Sequence, residues 1–415
     1  MGQDTSLTTL NPAAGKPLLA GVVVVDFTRV LAGPYCTRLL ADLGARVIKI
    51  ERPREGDEIR YSVIQLEPGR ADQSSYFVRL NAGKEGIAID LAHPQAHAVV
   101  LDLVRRADVV VENFSPGVMA RYGFDDAQLR AVKPDLVYCS ISGFGQTGPL
   151  GSMQAYAHLI NAFSGMMDME RGGEERPRPS YVQTADVLAG THAFGAICAA
   201  LLRRARGGGG AYLDVSMLEC LIAADDITFH ALLNGGSIER GPRVGMLVHA
   251  IGGRNVAMQA VGAPHLLGRL LALIGRPELA NDERFATPTA RRQNWPAFAQ
   301  ILRDWLNAFS SADEALTALS AARIPNAPVM SPEQVVAHPH MVARSAFPQV
   351  DHPARGPVHV TASPFHLDGQ PTHPAGPAPH RVGEHTRAVL TGMLGYSAER
   401  VAALEREGVI ETGAA

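Results

Sequence analysis

A single carboxylate, Asp186, stands where a long apolar helix is predicted to begin. The segment Tyr181–Ala185 precedes it, and small and apolar residues continue from Val187 to about Arg206. An aspartate in this position is a frequent helix N-cap, because its side chain accepts hydrogen bonds from the first turn. The same backbone donors and the helix dipole keep a carboxylate ionised, which suits a nucleophile. The residues alone leave the capping role and the catalytic role both open.

Other segments have residue types that bind ligands in many proteins. Ser142–Gly145 follows a predicted strand and is either an ordinary loop or part of a ligand site at the carboxyl end of a sheet. Glu51–Arg54 and Lys84 lie at strand edges, where they form a charged rim or anchor a phosphate. Gly207–Gly210 lacks the Lys-Ser/Thr of a phosphate loop and follows a helix, so we predict a helix stop there.

Histidines and cysteines give little indication of a metal or disulfide. Five histidines recur every seven residues near the C-terminus, but prolines interrupt that stretch and prevent one helical face. We therefore expect solvent-exposed tail residues and no metal site. The four cysteines form no CxxC pair, which indicates buried thiols in a reducing compartment. The histidines are His352, His359, His366, His373 and His380, and the cysteines are Cys36, Cys139, Cys198 and Cys220.

The composition excludes several classes of protein. The chain has 415 residues, of which 46% are hydrophobic, and its net charge is −3. That is enough apolar material for one large or two ordinary cores, and the charge argues against nucleic acid or an anionic membrane as partner. Met1–Lys16 lacks the pattern of a signal peptide, and no apolar run approaches the length of a membrane span. We therefore expect a cytoplasmic protein.

Short apolar runs alternate with helical patterns through the first half of the chain. Continuous apolar strands that alternate with helices are typical of an open α/β sheet covered on both faces. The predicted strands are Gly21–Phe27, Arg46–Ile50, Gly86–Leu91, Asp108–Asn113, Leu136–Ile141 and Tyr212–Val215, and the early helices are Cys36–Leu43 and Pro94–Arg106.

The pattern changes after residue 228, which predicts three parts. Residues 1–228 form most of a first domain, and residues 229–332 form a smaller domain of helices with one strand near Val256–Val261. Residues 333–415 are rich in Pro, Gly and His, and Gly383–Thr386 leads into a last helix. So long a tail is ordered only by packing, so it returns to the first domain or crosses to another subunit. The predicted helices of the smaller domain are Leu266–Gly275, Trp295–Phe309 and Asp313–Ala322.

Two stretches near the N-terminus resemble a known family. Val25–Pro34 and Leu43–Pro53 are similar to the start of class III CoA-transferases, the group of formyl-CoA transferase, carnitine CoA-transferase and α-methylacyl-CoA racemase. Further similar motifs follow in the family's order and cover nearly the whole chain. Each is weak alone, but together they are specific: Asn81–Lys84, Val111–Gly117, Arg121–Phe124, Ser142–Gly145, Asp214–Met217, Ile324–Val329 and Gly383–Thr386.

The resemblance implies a fold and a CoA site. It implies a Rossmann-like large domain built from both ends of the chain, a small domain from the middle, and an interlocked homodimer. CoA enters as a thioester substrate, and no separate cofactor is expected. Arg52, Lys84 and Arg121 match the cations for the nucleotide phosphates, and Asn113 and Phe114 match the lining of the adenosine or pantetheine path. The matching CoA-binding positions are Val30, Arg52, Lys84, Asn113, Phe114 and Arg121.

The family nucleophile aligns with Asp186. In the family's mechanism the carboxylate attacks the donor thioester and forms a mixed anhydride, after which CoA returns to give an aspartyl-CoA thioester. The acceptor carboxylate then attacks this thioester, and the CoA moves to the acceptor. Racemases of the family use a His and an Asp, but the position of that His holds Tyr156. A phenol is a poor base at neutral pH, and a helical His158 faces about 200° away from Tyr156.

The resemblance therefore favours a transferase over an acyl-CoA racemase or epimerase, or a CoA-binding protein without turnover. The segment Val244–Arg254 lacks the Gly-rich loop of formyl-CoA transferase, and Leu31 replaces a Gln near its site. These differences argue against oxalate and formyl-CoA. They favour succinyl-CoA as donor, with citramalate, mesaconate, itaconate, malate or benzylsuccinate as acceptor. Tyr156 would then bind a substrate carboxylate, and Arg243 or Arg254 would clamp the distal one.

Overall fold

A computed structural model of the chain describes residues 16–171, 174–238, 244–260 and 264–413. These residues form two compact units. The larger unit takes the chain up to Glu170, then Pro177–Ile238, and resumes at Val342. The smaller unit consists of Arg171–Arg176 and Glu239–Met341. The division therefore falls near residues 239 and 342, later in the chain than the composition indicates.

Within the described residues the strands alternate with helices along the larger unit. The strands are β1 (Val23–Asp26), β2 (Arg46–Glu51), β3 (Glu85–Ile89), β4 (Val109–Glu112), β5 (Val137–Ser142), β6 (Ala211–Ser216), β7 (Met246–Ile251), β8 (Arg254–Gln259), β9 (Asn326–Pro328), β10 (Gln349–His352), β11 (Gly356–His359), β12 (His366–Leu367), β13 (Gln370–Pro371) and β14 (Ile410–Glu411). The helices up to residue 233 are α1 (Ala32–Asp42), α2 (Ser75–Asn81), α3 (Ala96–Arg106), α4 (Val118–Tyr122), α5 (Asp126–Val132), α6 (Ala157–Phe163), α7 (Met166–Glu170), α8 (Thr184–Ala205), α9 (Met217–Ala223) and α10 (Thr228–Leu233). The later helices are α11 (Pro264–Leu273), α12 (Pro288–Gln293), α13 (Trp295–Leu306), α14 (Ala312–Ala321), α15 (Pro332–Val336), α16 (Pro339–Ala343), α17 (Thr386–Gly392) and α18 (Ala398–Arg406), with 3-10 turns at Glu58–Tyr61 and Pro277–Asn281.

Seven strands form one sheet in the order β14-β3-β2-β1-β4-β5-β6. All neighbours pair in parallel except β14, which runs antiparallel to β3. Successive strand residues face opposite layers: Val24 packs with α1 and α8, whereas Val25 packs with α3, α17 and α18. Both faces of the sheet are covered by helices, so most of its strand residues are buried and apolar. The predicted α/β fold with an open parallel sheet is confirmed.

Helix α8 is long and apolar enough to cross a membrane by length and composition. The sequence expectation of no apolar stretch of that length therefore does not hold for α8. A stripe of small residues along it packs against α1 and the sheet, and core helices of water-soluble domains pass the same composition test. The helix ends at Ala205, and Gly207 follows with φ of 83°, as the predicted helix stop requires. The buried stripe consists of Ala185, Ala189, Ala193 and Ile197.

The smaller unit has a three-stranded antiparallel sheet, β7-β8-β9, backed by α11, α13 and α14. The predicted strand and helices are present within a few residues of their expected bounds, but β7 was not predicted. Arg254, one of the two predicted carboxylate clamps, is exposed and places its Nη1 2.9 Å from both carboxylate oxygens of Asp313. The other candidate, Arg243, lies outside the described residues.

The C-terminal segment returns to the larger unit. Two hairpins, β10–β11 and β12–β13, precede α17 and α18, and the chain then adds β14 to the edge of the main sheet. The expectation of solvent-exposed histidines is wrong for part of this tail. His352 is buried, and His380 places its Nε2 2.8 Å from Oε2 of Glu67. Both histidines pack where the tail lies on the larger unit. The seven-residue spacing in the sequence does not reveal these contacts.

Candidate active site

The loop between β1 and α1 lies at a topological switch point of the sheet. Strand β1 lies between β2 on one side and β4 on the other, so the order of strands in the sheet reverses direction here. Ligands of open α/β sheets bind at the carboxyl ends of the strands at such a point. Within this loop Val30 has a φ of 67°. A β-branched residue rarely takes this conformation, which costs about 1–3 kcal/mol and persists only where surrounding contacts hold it.

A buried set of charged side chains supplies those contacts. Asp26 accepts hydrogen bonds from the backbone N–H of Thr28 at 2.8 Å and from its hydroxyl at 2.5 Å. The Lys49 ammonium donates to the carbonyl of Thr28 at 2.6 Å and to Asp57 at 2.9 Å. Asp57 in turn accepts from the backbone N–H of Val30 at 3.2 Å. Two loop residues, Thr28 and Val30, are thereby fixed by Asp26, Lys49 and Asp57.

Helix α8 approaches this loop because Gly190 faces α1. A Cβ at Gly190 would stand 2.6 Å from the carbonyl oxygen of Ala32 and 3.1 Å from Cδ1 of Tyr35, so only glycine permits this separation. Asp186 lies one helical turn before Gly190, so it stands over the beginning of α1. There the backbone N–H of Ala32, the first residue of α1, donates a hydrogen bond to its carboxylate.

Asp186 is the third residue of α8, not its N-cap. The helix begins at Thr184, and the preceding Gln183 makes no capping hydrogen bond. The predicted helix start at Val187, with Asp186 as cap, is therefore wrong by one turn. The first-turn position leaves the carboxylate free to point at a second helix. It thus benefits from the N-termini of both α1 and α8.

Burial makes the Asp186 carboxyl a weaker acid than a solvent-exposed aspartic acid. Desolvation raises its pKa from 3.8 to about 6, against the opposing effects of the hydrogen bond from Ala32 and of the charge of His158. At neutral pH the group is still ionised, but it is poorly hydrated. Such a carboxylate is a better nucleophile than one surrounded by water.

His158 lies beside Asp186, contrary to the sequence prediction. Its Nε2 is 2.9 Å from Nε2 of Gln183, which precedes α8, and its charge acts on the Asp186 carboxylate. The prediction counted a helical rotation from Tyr156. However, Tyr156 has extended dihedrals (φ −128°, ψ 160°) and precedes α6, so helical periodicity does not relate the two residues.

A side-chain amide joins the β1–α1 loop to the loop after β4. Asn113 accepts from the backbone N–H of Arg29 at 2.8 Å and donates to the Arg29 carbonyl at 2.8 Å. The Arg29 guanidinium also lies 5.6 Å from the ring centroid of Phe114. Since Arg29 is exposed, this arrangement presents a cation and an aromatic face to solvent at the switch point. Arg29 was not singled out from the sequence, although it stands inside the first family motif.

The family model described as CoA-transferase family III matches residues 19–386 of the chain. The chain belongs to CoA-transferase family III. It is 34% identical over 339 residues to a succinate–glutarate CoA-transferase of Agrobacterium fabrum, an alignment that covers 79% of this chain and 84% of the relative. It is 37% identical over 355 residues to an acetyl-CoA:oxalate CoA-transferase of Acetobacter aceti, with 82% and 87% covered.

A solved structure gives the same result for the fold. The chain is similar to a CAIB/BAIF family protein from Brucella suis with a TM-score of 0.76 and 31% identity, covering 92% of this chain and all of that one. This family III enzyme is thus a CoA-transferase that moves CoA between carboxylic acids.

The structure separates the residues that the resemblance assigns to CoA in this family III enzyme. Val30, Asn113 and Phe114 lie together around the β1–α1 loop. Arg52 and Arg121 are exposed, and Arg52 pairs with Glu55 at 2.9 Å.

Lys84 has a different environment. Its ammonium has no exposed surface and contacts Asp26 at 3.1 Å, Thr37 at 2.8 Å and Asn81 at 2.9 Å. Burial lowers the pKa of Lys84 to about 8, while Asp26 acts in the opposite direction. The enclosed ammonium stabilises the β1–α1 loop through its contact with Asp26. The assignment of Lys84 to the nucleotide phosphates does not fit this position.

The two residues assigned to substrate also differ in position. Tyr156 is 63% exposed, just before α6, so its hydroxyl is available to a ligand. The Leu31 side chain is buried in a small cluster with Ile59, Phe77 and Leu80. The Leu31 side chain is therefore not exposed to a ligand, and its backbone directly precedes the Ala32 N–H that binds Asp186.

The sequence did not indicate a second carboxyl group with a raised pKa. Glu112 ends β4 and is buried, which raises its pKa to about 7, while a hydrogen bond with the Ser140 side chain acts against this shift. Its Oε2 accepts the backbone N–H of Phe114 at 2.9 Å. Glu112 thus fixes the turn that presents Phe114. The position at the carboxyl end of a buried strand is the signal from which it could have been found.

Proposed function

We propose that the enzyme transfers CoA from succinyl-CoA to a C4–C5 dicarboxylic acid, with Asp186 as the nucleophile. The observation that carries this proposal is the Asp186 carboxylate itself, desolvated and held at the beginning of α1 beside the switch point of the sheet. The relatives named above act on succinate and glutarate in one case and on oxalate in the other. Succinate, glutarate and oxalate are all dicarboxylic acids.

The residues of the site support a four-step exchange. The Asp186 carboxylate attacks the donor thioester carbonyl, a C–O bond forms, the C–S bond breaks, and CoA leaves as a thiolate. The thiolate attacks the Asp186 carbonyl of the anhydride and releases the donor acid, which leaves an aspartyl-CoA thioester. The acceptor carboxylate attacks this thioester and expels the thiolate again. The thiolate finally attacks the acceptor carbonyl, which forms the new thioester and restores Asp186.

In the first and third steps a carboxylate oxygen must approach the thioester carbonyl carbon, and in the second and fourth the thiolate must approach an anhydride carbonyl carbon, so the reacting groups must be held in position. The N–H of Ala32 fixes the direction of the Asp186 carboxylate, and the N-terminal ends of α1 and α8 stabilise negative charge there. The proposed CoA path runs past Val30 and Phe114, with Arg29, Arg52 and Arg121 as exposed cations for the phosphates. Tyr156 is the proposed hydrogen-bond donor to a substrate carboxylate.

The test is an incubation of the purified protein with succinyl-CoA and a pool of dicarboxylic acids in heavy water, followed by mass spectrometry of the CoA products. A new acyl-CoA without deuterium is the expected result and names the acceptor. Asp186→Ala should lose transfer and retain CoA binding. A variant with wild-type turnover would overturn the proposed mechanism, and conversion with other donors only would overturn the choice of succinyl-CoA.

The position of His158 favours one second candidate, an acyl-CoA racemase or epimerase. A His and an Asp near one another are the pair of bases that such a reaction needs, and His158 lies close enough for its charge to act on Asp186. The same incubation separates the two activities. Deuterium at the α-carbon without a new thioester would identify the second one, and His158→Gln would then abolish the exchange.

A further inference from the structure

Arg79 is a partly buried cation whose position no acid in its surroundings explains. It lies in the last turn of α2, and its guanidinium is 5.5 Å from the ring centroid of Tyr76, with which it also shares a side-chain hydrogen bond. Among the described residues, no carboxylate forms an ion pair with it. The buried arginines nearby are paired: Arg38 with Asp42 at 2.6 Å and Arg60 with Glu51 at 2.7 Å.

The surroundings of Arg79 disfavour a free cation. Burial lowers its pKa, and the neighbouring Arg38 acts in the same direction, while the hydroxyls of Tyr76 and Tyr35 act against it. The Arg38 guanidinium also donates to the Arg79 carbonyl, which fixes the end of α2 on α1. A desolvated guanidinium that is held rigidly beside a phenol is arranged to receive an anion.

The cluster borders the nucleophile. Tyr76, Tyr35 and Val30 pack around the buried Leu31, next to the loop whose end donates to Asp186. Tyr35 also faces Gly190, one turn from Asp186 on α8. Burial raises the pKa of Tyr76, Arg79 acts against this shift, and the negative charge of Asp186 adds to it. Tyr76 is therefore coupled electrostatically to Asp186 and in direct contact with Arg79.

We propose that Arg79, with the hydroxyl of Tyr76, binds the distal carboxylate of a dicarboxylic substrate whose other carboxyl group reacts at Asp186. This inference rests on the proposed transfer reaction and makes Arg79 the residue that selects dicarboxylic over monocarboxylic acids. It replaces the clamp predicted at Arg254, whose guanidinium is already paired with Asp313. A guanidinium and a carboxylate form two parallel hydrogen bonds, which is a basis for selectivity as well as affinity.

The test compares glutarate with pentanoate, two acids of equal length that differ by one carboxylate. Arg79→Gln should lower kcat/KM for glutarate by about 10- to 100-fold and leave pentanoate nearly unchanged, since one charge-assisted interaction is lost. Arg79→Lys should restore part of the preference, and Tyr76→Phe should reduce it less. Arg105→Gln, which removes an exposed arginine paired with Asp102, is the matched control. Equal loss on both acids would mean a structural role and would overturn the inference.

A binding measurement keeps this inference separate from the proposed function. Titration calorimetry of the wild-type protein with glutarate and with pentanoate, in the presence of free CoA, needs no turnover. Tighter binding of glutarate that disappears in Arg79→Gln supports the role of Arg79 even if succinyl-CoA proves to be the wrong donor. No preference in the wild-type protein would overturn that role even if transfer to some acid is observed.

Discussion

The ionisation of Asp186 should control the pH dependence of transfer. The carboxylate is the nucleophile only when deprotonated, and burial raises its pKa to about 6. We therefore expect kcat to be constant above neutral pH and to fall about tenfold per pH unit below pH 6. Initial rates between pH 4.5 and 8.5, with circular dichroism to verify folding at each pH, test this. A rate that stays constant down to pH 4.5 would contradict the assignment.

The same pKa has a consequence for stability that serves as an independent measurement. The folded carboxyl holds its proton more tightly than the unfolded one, so the cost of ionising it is absent below pH 3.8 and complete above pH 6. That cost is roughly 3 kcal/mol, because the shift is about two pKa units. Asp186→Asn should therefore increase the free energy of unfolding at pH 7.5 and change it little at pH 4, as measured by urea denaturation.

The environments of individual residues also show what could not be predicted from the sequence. Asp186 was predicted as the nucleophile from the family resemblance, but the sequence could not show that Lys84 is enclosed by Asp26, Thr37 and Asn81. A lysine before a strand looks the same whether its ammonium faces solvent or a buried carboxylate. The sequence equally could not show that Arg79 lacks an ion pair with any described carboxylate, because this depends on which carboxylates the fold brings near.

At the scale of elements, the close approach of α8 to α1 is the feature that positions Asp186, the proposed nucleophile. Gly190→Ala introduces a methyl group 2.6 Å from the carbonyl oxygen of Ala32, so the two helices must separate. We expect a loss of about 1–3 kcal/mol in unfolding free energy and at least a tenfold lower kcat, because Asp186 moves away from the Ala32 N–H. Thermal unfolding and steady-state rates measure the two effects.

Gly195 provides the matched control on the same helix. A Cβ at this position meets nothing within 4 Å. Gly195→Ala should therefore keep wild-type kcat and gain up to about 1 kcal/mol of stability from the better helix propensity of alanine. If Gly190→Ala behaves like Gly195→Ala, the helix contact does not position Asp186.

Elements were predicted best where one physical pattern dominates. Most strands of the main sheet are rich in buried apolar residues on both faces, so their runs stand out from the sequence. The start of α8 was misplaced because Asp186 has the chemistry of an N-cap, while the actual cap, Gln183, makes no capping bond. Strands β7 and β9 were not predicted: β7 is a short apolar run interrupted by His249, and β9 has only three residues and ends in a proline.

At the scale of the molecule, the last strand completes the first unit. Val409 and Ile410 are buried, and β14 covers the edge of β3. Removal of all residues from Val409 onward should lower the unfolding free energy by about 3–6 kcal/mol through lost apolar burial and should promote aggregation through the exposed strand edge. Removal of only the residues after Thr412 keeps β14 and is the control. Thermal unfolding and light scattering distinguish the two, and equal behaviour would mean that β14 is dispensable.

The division into units was foreseeable in outline only. The change in composition near residue 229 indicates a second core, but α10 still belongs to the first unit, so the boundary falls later. The length of the tail indicated that it is ordered by packing, but left open whether it returns to the first domain or crosses to another subunit. Its partner strand could not be foreseen, because a two-residue strand has no sequence pattern of its own.

The pairing of β14 with β3 also joins a strand that is synthesised late to one that is synthesised early. β3 is made early, yet its edge stays uncovered until residue 411 has left the ribosome. Residues 239–341 are complete well before then and can form their own core. We therefore expect the smaller unit of a nascent chain to fold while the larger unit is still incomplete. Until β14 is made, the exposed edge of β3 can pair with other chains and promote aggregation.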